Sequence, residues 1–254
     1  MTAIFPDLKN KSVFITGGGK GIGAALTDGF LAQGAKVAFV GRSDASGFLA
    51  RMTEKYGSAP LFIQCDVTDP DALGQAMDQA ATAHGPLDVL VNNAADDLRM
   101  VSAEVSPADW DAQIAINLKP YFFGCQKAFS MMKGRGGAII NYSSTSYMLG
   151  MGGMIPYTSS NAAITAMSKG LAREWGADKV RVNAIAPGWV LTEKQLEKWA
   201  TPEGLEAFRE RQSLKDFMAP EDMIGPTLFL ASDAARMVTG TCLVVDAGVV
   251  GMGS

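Results

Sequence analysis

Histidine is almost missing from this chain of 254 residues, with one copy at position 84, and cysteine is scarce, with three. A lone imidazole cannot share a metal with a second, and His84, beside Gly85 and Pro86 at the expected end of a helix, has no catalytic partner nearby in sequence. Cys65, Cys125 and Cys242 are an odd number, far apart, in apolar surroundings and without metal-ligand spacing. That pattern excludes a disulfide framework and predicts buried thiols and no metal. Basic charge is also short: 22 Lys and Arg against 26 Asp and Glu leave a net charge of −4 at pH 7. No field is present to draw in nucleic acid or an anionic membrane. No stretch reaches the roughly 18–20 continuous apolar residues of a membrane span, and the opening MTAIFPDLKNK lacks a secretory pattern. The expected location is the cytoplasm.

Hydrophobic residues make up 48% of the chain and charged residues 19%, which fits a folded chain with a sizeable core rather than a disordered one. No linker or second composition regime divides it, so residues 1–254 are expected to form a single domain. The organising stretch is SVFITGGGKGIG, residues 12–23. Val13, Phe14 and Ile15 read as a buried strand, three glycines allow a sharp turn, and residues 24–33 have apolar positions at helical spacing. A second strand at 36–40 completes a strand–helix–strand unit. Glycines at such a turn let a phosphate approach the backbone, and the helix N-terminus offers free N–H groups to it.

Further on, strands are expected at 61–65, 87–91, 138–141, 179–185 and 241–245. Helices are expected at 44–56, 69–83, from Pro107 to about 131 with a bend or boundary at Pro120, and at 157–175, 192–215 and 222–231. About seven strands alternating with helices call for an α/β fold, a doubly wound Rossmann-type parallel sheet with helices on both faces. Ligands of such sheets lie at the carboxyl ends of the strands, where the glycine turn, Asp66, Asn92, the serines after residue 142 and Pro187 fall. The charged stretch after the sixth strand, within residues 189–218, is the expected substrate lid.

The succession TGGGKGIG from Thr16, CDVTD around Asp66, NNAA from Asn92, IAINL around Asn117, Ser144, Tyr157 and RVNAIAPG from Arg181 resembles the short-chain dehydrogenase/reductase family over nearly the whole chain. The resemblance implies an oxidoreductase in which Tyr157 is the acid/base, Ser144 orients the carbonyl or alcohol, and Asn117 holds a proton-relay water. It further implies a nicotinamide cofactor bound by Gly17, Gly19, Lys20, Gly21, Ile22, Gly23, Asp66, Val67, Asn93, Ala94, Tyr157, Asn161, Pro187, Gly188, Val190 and Thr192.

One departure concerns the chemistry. A phenol ionises near pH 10 and needs a nearby positive charge to work as a base near neutrality. The family supplies a lysine four residues after the tyrosine; here that position is Asn161, on the same helix face about 6 Å along. Asn161 can still bond a ribose hydroxyl but brings no charge, and Lys169, twelve residues on, is some 18 Å along the helix. Weak activity, or an alkaline optimum for oxidation, is expected. A second departure, Ala95 where the family often has glycine, is minor.

At the end of the second strand an acidic residue would bond the adenosine hydroxyls and repel a 2′-phosphate; this chain has Gly41-Arg42-Ser43 instead. Arg42, with Lys20 nearby, favours NADP over NAD. Substrate is read from a softer likeness. The segments IFPDLKNK, NNAADDLR, GWVLTEKQLEKWATPEG and VVDAG resemble bacterial sugar dehydrogenases of this family. Asp97, Arg99, Ser144, Ser146, Tyr157, Trp189 and Gln195 are the substrate candidates. Oxidation of an aldose at C1 is the first expectation, and oxidation of a secondary hydroxyl in a sugar acid or polyol the second. A cofactor-binding protein with impaired catalysis is the third, on the strength of Asn161. By resemblance, the helices at 107–131 and 157–175 would pack in a homotetramer or dimer.

Overall fold

Short apolar runs form the strands, buried along most of their length in the five inner strands and only half-buried in the two edge strands. A computed structural model of the protein describes residues 3–251. β1 (Ser12–Thr16) is buried at every position. It is followed by β2 (Lys36–Gly41), β3 (Leu61–Gln64), β4 (Val89–Asn92), β5 (Gly137–Tyr142), β6 (Val180–Pro187) and β7 (Cys242–Val245). All pair in parallel in the order β3-β2-β1-β4-β5-β6-β7. A parallel sheet must be covered on both faces, and α1 (Gly21–Ala32), α2 (Ser46–Tyr56), α3 (Pro70–His84), α5 (Lys119–Met132), α6 (Ile155–Trp175) and α9 (Ile224–Ala231) are the main helices that do so.

The pleat divides the core. Val13 and Ile15 face a layer with Leu26, Phe30, Phe39 and Leu228. Phe14, between them, faces the other layer with Met77, Leu90, Cys125 and Ile139. The strand order reverses between β1 and β4, which opens a crevice at their carboxyl ends. Cys65 and Cys125 are buried and Cys242 half-buried, all as free thiols. Among the described residues no helix is long and apolar enough to cross a membrane.

Three expected helices are built differently. Residues 107–131 form two: α4 (Pro107–Asn117) ends at Leu118, whose φ of −129° breaks the ladder before α5. Pro120 is the reason, because in an unbroken helix its ring would collide with the carbonyl four residues back. Residues 192–215 also divide, into α7 (Glu193–Lys198) and α8 (Pro202–Arg211). Thr201 restarts the second by accepting a hydrogen bond from the Gly204 N–H, with Pro202 in the first turn where its missing N–H costs nothing. The helix expected at 222–231 opens as a 3-10 turn, Pro220–Met223, before α9.

One polar chain crosses the core beneath the crevice. Asn92 and Asn141 are register partners on β4 and β5, and the Asn92 Nδ2 donates to Asn141 Oδ1 at 2.9 Å. Asn141 Nδ2 donates to Ser168 Oγ on α6 at 2.9 Å, and Ser168 Oγ donates to the Ile164 carbonyl. Asn141 and Ser168 have no exposed surface, so each bond replaces one that water could not supply. Asn141→Ala would leave the Asn92 amide and the Ser168 hydroxyl short of a partner and open a cavity. Buried unpaired groups cost about 1–3 kcal/mol each, so a loss of about 2–4 kcal/mol is expected, read as a lowered urea midpoint with unchanged slope; an unaltered midpoint would contradict this account.

Candidate active site

The glycine turn is held in place from behind by β4. Thr16 Oγ1 accepts from the backbone N–H of Asn93 at 2.9 Å and of Ala94 at 3.0 Å. Asn93 Nδ2 donates in return to the carbonyls of Thr16 and Gly17. Within the turn Gly17 and Gly21 lie at φ of +70° and +51°, where a side chain would strain the backbone. A Cβ on Gly18 would come 2.5 Å from Phe39 Cβ, and one on Gly23 would press into the Gly17 carbonyl oxygen. The turn therefore has no room for side chains at Gly18 or Gly23, and the first amides of α1, which have no acceptor within the helix, stay open to an outside acceptor.

Beside the turn lies a cavity of about 690 Å³, lined in part by Ile22, Asn93, Ser144, Tyr157, Asn161 and Gly188. Ser144 comes from the loop after β5 and Tyr157 from the first turn of α6. Ser144 Oγ accepts from the Ser146 N–H at 3.1 Å, which fixes it. Burial pushes the Tyr157 phenol above its ordinary value; a hydrogen bond with Ser144 works against that rise, and the charge of Asp97 adds to it. Asn161 is buried, and its Nδ2 donates to the Tyr157 carbonyl at 2.9 Å. Ser146 also lines the cavity, its buried hydroxyl without a partner among the described residues.

Asn117 stands apart. Its Oδ1 accepts from the Asp96 N–H at 2.8 Å, and its Nδ2 donates to the Asp96 carbonyl and to Gln113 Oε1. The side chain is thus fully engaged in clasping the loop after β4 rather than lining the cavity. That clasp holds Asp96 and Asp97 against α7. Lys194 Nζ bonds Asp96 Oδ1 at 2.9 Å and Asp97 Oδ1 at 2.5 Å, while Gln195 Nε2 donates to Asp97 Oδ2 at 2.7 Å. Trp189 Nε1 donates to Gln195 Oε1 at 2.8 Å, and Arg99 lies over the Trp199 ring at 4.3 Å. Burial opposes charge on Asp97, but the bonds from Lys194 and Gln195 outweigh it and hold the carboxyl below its usual range. Lys194, Phe208 and Arg211 line the cavity and were not singled out from sequence. All three sit in the charged stretch 192–215, whose pattern does not reveal which side docks on the loop after β4.

The model of the family described as Enoyl-(Acyl carrier protein) reductase matches residues 17–250. A probable galactose dehydrogenase of Rhizobium meliloti is 42% identical over 248 residues, 96% of this chain and 97% of that protein. A D-xylose 1-dehydrogenase of Caulobacter vibrioides is 43% identical over 250 residues, covering 97% and 98%. Among solved structures, a blue fluorescent protein from a metagenomic library, in complex with NADPH, superposes with a TM-score of 0.86 at 34% identity, covering 96% of this chain and 99% of that one. The chain belongs to the short-chain dehydrogenase/reductase family. It is an oxidoreductase of a family that works with NAD or NADP.

The dehydrogenase's own residues fit a dinucleotide along the crevice. The glycine-rich turn and the open α1 amides suit a pyrophosphate. Thr192 caps α7 and faces Gly21, where a Cβ would lie 3.1 Å from its Cγ2. Pro187 ends β6, Gly188 and Val190 follow it along the same wall, and a Cβ on Gly188 would come 2.9 Å from Asp246 Cα. Val67 is buried at the end of β3; Asp66 beside it is half-exposed, its carboxyl lowered by the Thr68 N–H. Arg42 is 70% exposed in a long ion pair with Asp66 at 4.0 Å, and Lys20 is exposed at the mouth of the turn, so both cations are accessible to a ligand.

The charge on Asp97 opposes ionisation of Tyr157. In Asp97→Asn that repulsion is gone while the Lys194 ammonium remains, so the phenol's pKa falls. An ultraviolet titration of phenolate, taken as the difference between each protein and its Tyr157→Phe counterpart, is expected to show the Tyr157 step at lower pH in Asp97→Asn. A step that stays put or moves up would contradict the assignment.

Proposed function

We propose that the protein is an NADP-dependent sugar dehydrogenase that oxidises an aldose at C1 to the lactone. The observation that carries this is the convergence of Tyr157 and Ser144 on one cavity beside the glycine turn. Support for a sugar comes from the two relatives that are a galactose and a xylose dehydrogenase by name. In this reading Tyr157, as phenolate, takes the proton from the C1 hydroxyl, and Ser144 donates a hydrogen bond that holds the same oxygen. The bound nicotinamide supplies the acceptor for the hydride that leaves C1 as the C=O bond forms.

Asp97, Gln195 and Trp189 form one bonded chain along the cavity, and with Lys194 and Arg99 they offer a sugar both acceptors and donors. Ser146, with its unpartnered hydroxyl, offers one more. Asn117 acts at one remove as a positioning residue, because its amide sets the Asp96–Asp97 loop. Asn161 keeps a donor near the ribose and Tyr157. Gly17, Gly19, Lys20, Gly21, Ile22, Gly23, Asp66, Val67, Asn93 and Ala94 take the dinucleotide, with Arg42 on the 2′-phosphate. Arg42 and the absence of a carboxylate at the end of β2 support NADP over NAD. The stretch 189–218 acts as the substrate lid, docked through the Lys194 and Gln195 contacts to Asp97.

Tyr157 receives little help from positive charge. Its pKa is raised, and Asn161 adds no cation. A cation within about 4–6 Å lowers an acid's pKa by ~1–3 units, so Asn161→Lys is expected to raise the rate near pH 7 by roughly ten- to a thousand-fold and to move the pH optimum down. The assay is cofactor reduction at 340 nm over aldoses, sugar acids and polyols, with NAD and NADP, from neutral to alkaline pH. Equal neutral rates for the two proteins would refute the charge argument. Turnover only by Asn161→Lys would favour a cofactor-binding protein whose catalysis has been disarmed at one residue. Best turnover of a secondary alcohol would move the reaction away from C1.

We also propose a homotetramer or dimer built on α4, α5 and α6. Support comes from Trp110, Phe122 and Phe123, which are 38%, 40% and 37% exposed on two of these helices. Light scattering is expected to return a multiple of the chain mass, reduced by Phe122→Glu together with Phe123→Glu; a monomeric mass for the unaltered chain would overturn it.

A further inference from the structure

The cavity carries more positive charge than its own carboxylates use. Arg99, Lys194 and Arg211 line it, against the single carboxylate of Asp97. Lys194 is committed, bonded to both Asp96 and Asp97. The two arginines are not: among the described residues neither is in an ion pair. The contrast within one helix is sharp, because Arg209 on α8 pairs with Glu206 at 2.6 Å while Arg211 at the helix end is left over. Both arginines are exposed, whereas Ser144 and Tyr157 are half-buried, so the guanidinium groups belong to the mouth of the cavity and the reacting groups lie deeper.

They approach from different elements. Arg99 follows β4, and its guanidinium carbon stands 4.3 Å from the centre of the Trp199 ring, a cation–π contact that leaves its N–H groups available to a ligand. Arg211 ends α8, on the lid. A guanidinium has five N–H donors in a rigid fork that matches a carboxylate or phosphate. Leu149, Met151 and Phe208 add apolar side chains to the same cavity lining. An apolar wall also concentrates the field of nearby cations.

We propose that Arg99 and Arg211 hold an anionic group of the substrate, a carboxylate or phosphate remote from the carbon that is oxidised, so that the substrate is an acidic sugar and not a neutral one. This rests on the sugar-oxidising reading above and narrows it. It requires no additional chemical step: the anion is bound and released unchanged.

The test compares sugars of one ring stereochemistry, using the cofactor-loaded protein. D-Glucose, D-glucuronate and D-glucose 6-phosphate form one set, and D-galactose with its uronate and 6-phosphate the other. In at least one set kcat/KM for an acid is expected to exceed that for its neutral hexose by at least about tenfold, one charge-assisted hydrogen bond being worth roughly that factor. Which acid wins tells carboxylate from phosphate. The acid-to-neutral ratio is expected to collapse in Arg99→Gln and Arg211→Gln, to survive in part in the Arg→Lys variants, and to shrink with added salt. Neutral hexoses used as well as or better than their acids, or a ratio unmoved by both Gln variants, would overturn the proposal while leaving the sugar reading intact. If no sugar is turned over, the sugar reading falls, and calorimetry of glucuronate and glucose 6-phosphate against glucose decides the arginines separately. Binding of an acid that is lost in the Gln variants upholds them; no preference for either acid refutes them.

Discussion

Everything at the carboxyl edge of the sheet depends on how closely β1 and β4 are tied just past their last residues. The Thr16 hydroxyl accepts two amides from the strand beyond β4, and the Asn93 amide gives two bonds back to the β1 turn. With both edges bound, the chain must leave β1 in a turn so tight that a Cβ at Gly23 would strike the Gly17 carbonyl. The same tie launches the loop that carries Asp96, Asp97 and Arg99. The Asn117 clasp on Asp96 then passes the registration on to α4. The glycine turn and the Asp96–Arg99 loop are thus set by one small group of hydrogen bonds just past neighbouring parallel strands.

The sheet was readable because its signals are local. Each strand is a short apolar run ended by a polar or glycine residue, and Val13, Phe14 and Ile15 predict burial on both faces, as observed. The glycine turn, Ser144 and Tyr157 were legible through spacing and family likeness; Ser144 and Tyr157 line one cavity, which Ile22, just after the turn, also lines. The division of 107–131 was half legible, since Pro120 marks the place but not whether the helix bends or stops; Leu118 stops it. The partners of Asp97 were not legible. Lys194 and Gln195 lie 97 and 98 positions away from it in the chain, and nothing in a run of charges says which of them turns inward. Asn117 shows the same limit, its residue type being clear while the commitment of its side chain depends on a loop distant in sequence.

Charge around Tyr157 is arranged with little margin. The phenol is desolvated, its hydrogen bond with Ser144 favours ionisation, and Asp97 disfavours it. Lys194 offsets part of the Asp97 effect but is itself shared between two carboxylates. Asn161 spends one of its N–H groups on the Tyr157 carbonyl, so at the position where a cation would act most directly there is a helix-stabilising polar group instead. Burial and the Ser144 bond act most strongly on the phenol, and the Asp97 charge, held in place by Lys194 and Gln195, couples its ionisation to α7.

The segment between β6 and α9 that carries α7 and α8 starts and ends at the same place in the fold. Val190 and Met218 form an isolated parallel bridge, and the Leu191 N–H bonds the Met218 carbonyl at 2.9 Å. The Ser213 and Leu214 amides are fastened to the Ala247 carbonyl beyond β7. A segment whose two ends already touch can change length and sequence between them without moving the sheet, because the cost of closing a loop grows only slowly with its length. In recombination terms, residues 193–217 are a cassette: a foreign segment joined between Thr192 and Met218 would leave Val190 and Thr192 beside the glycine turn and the crevice at the strand ends unchanged.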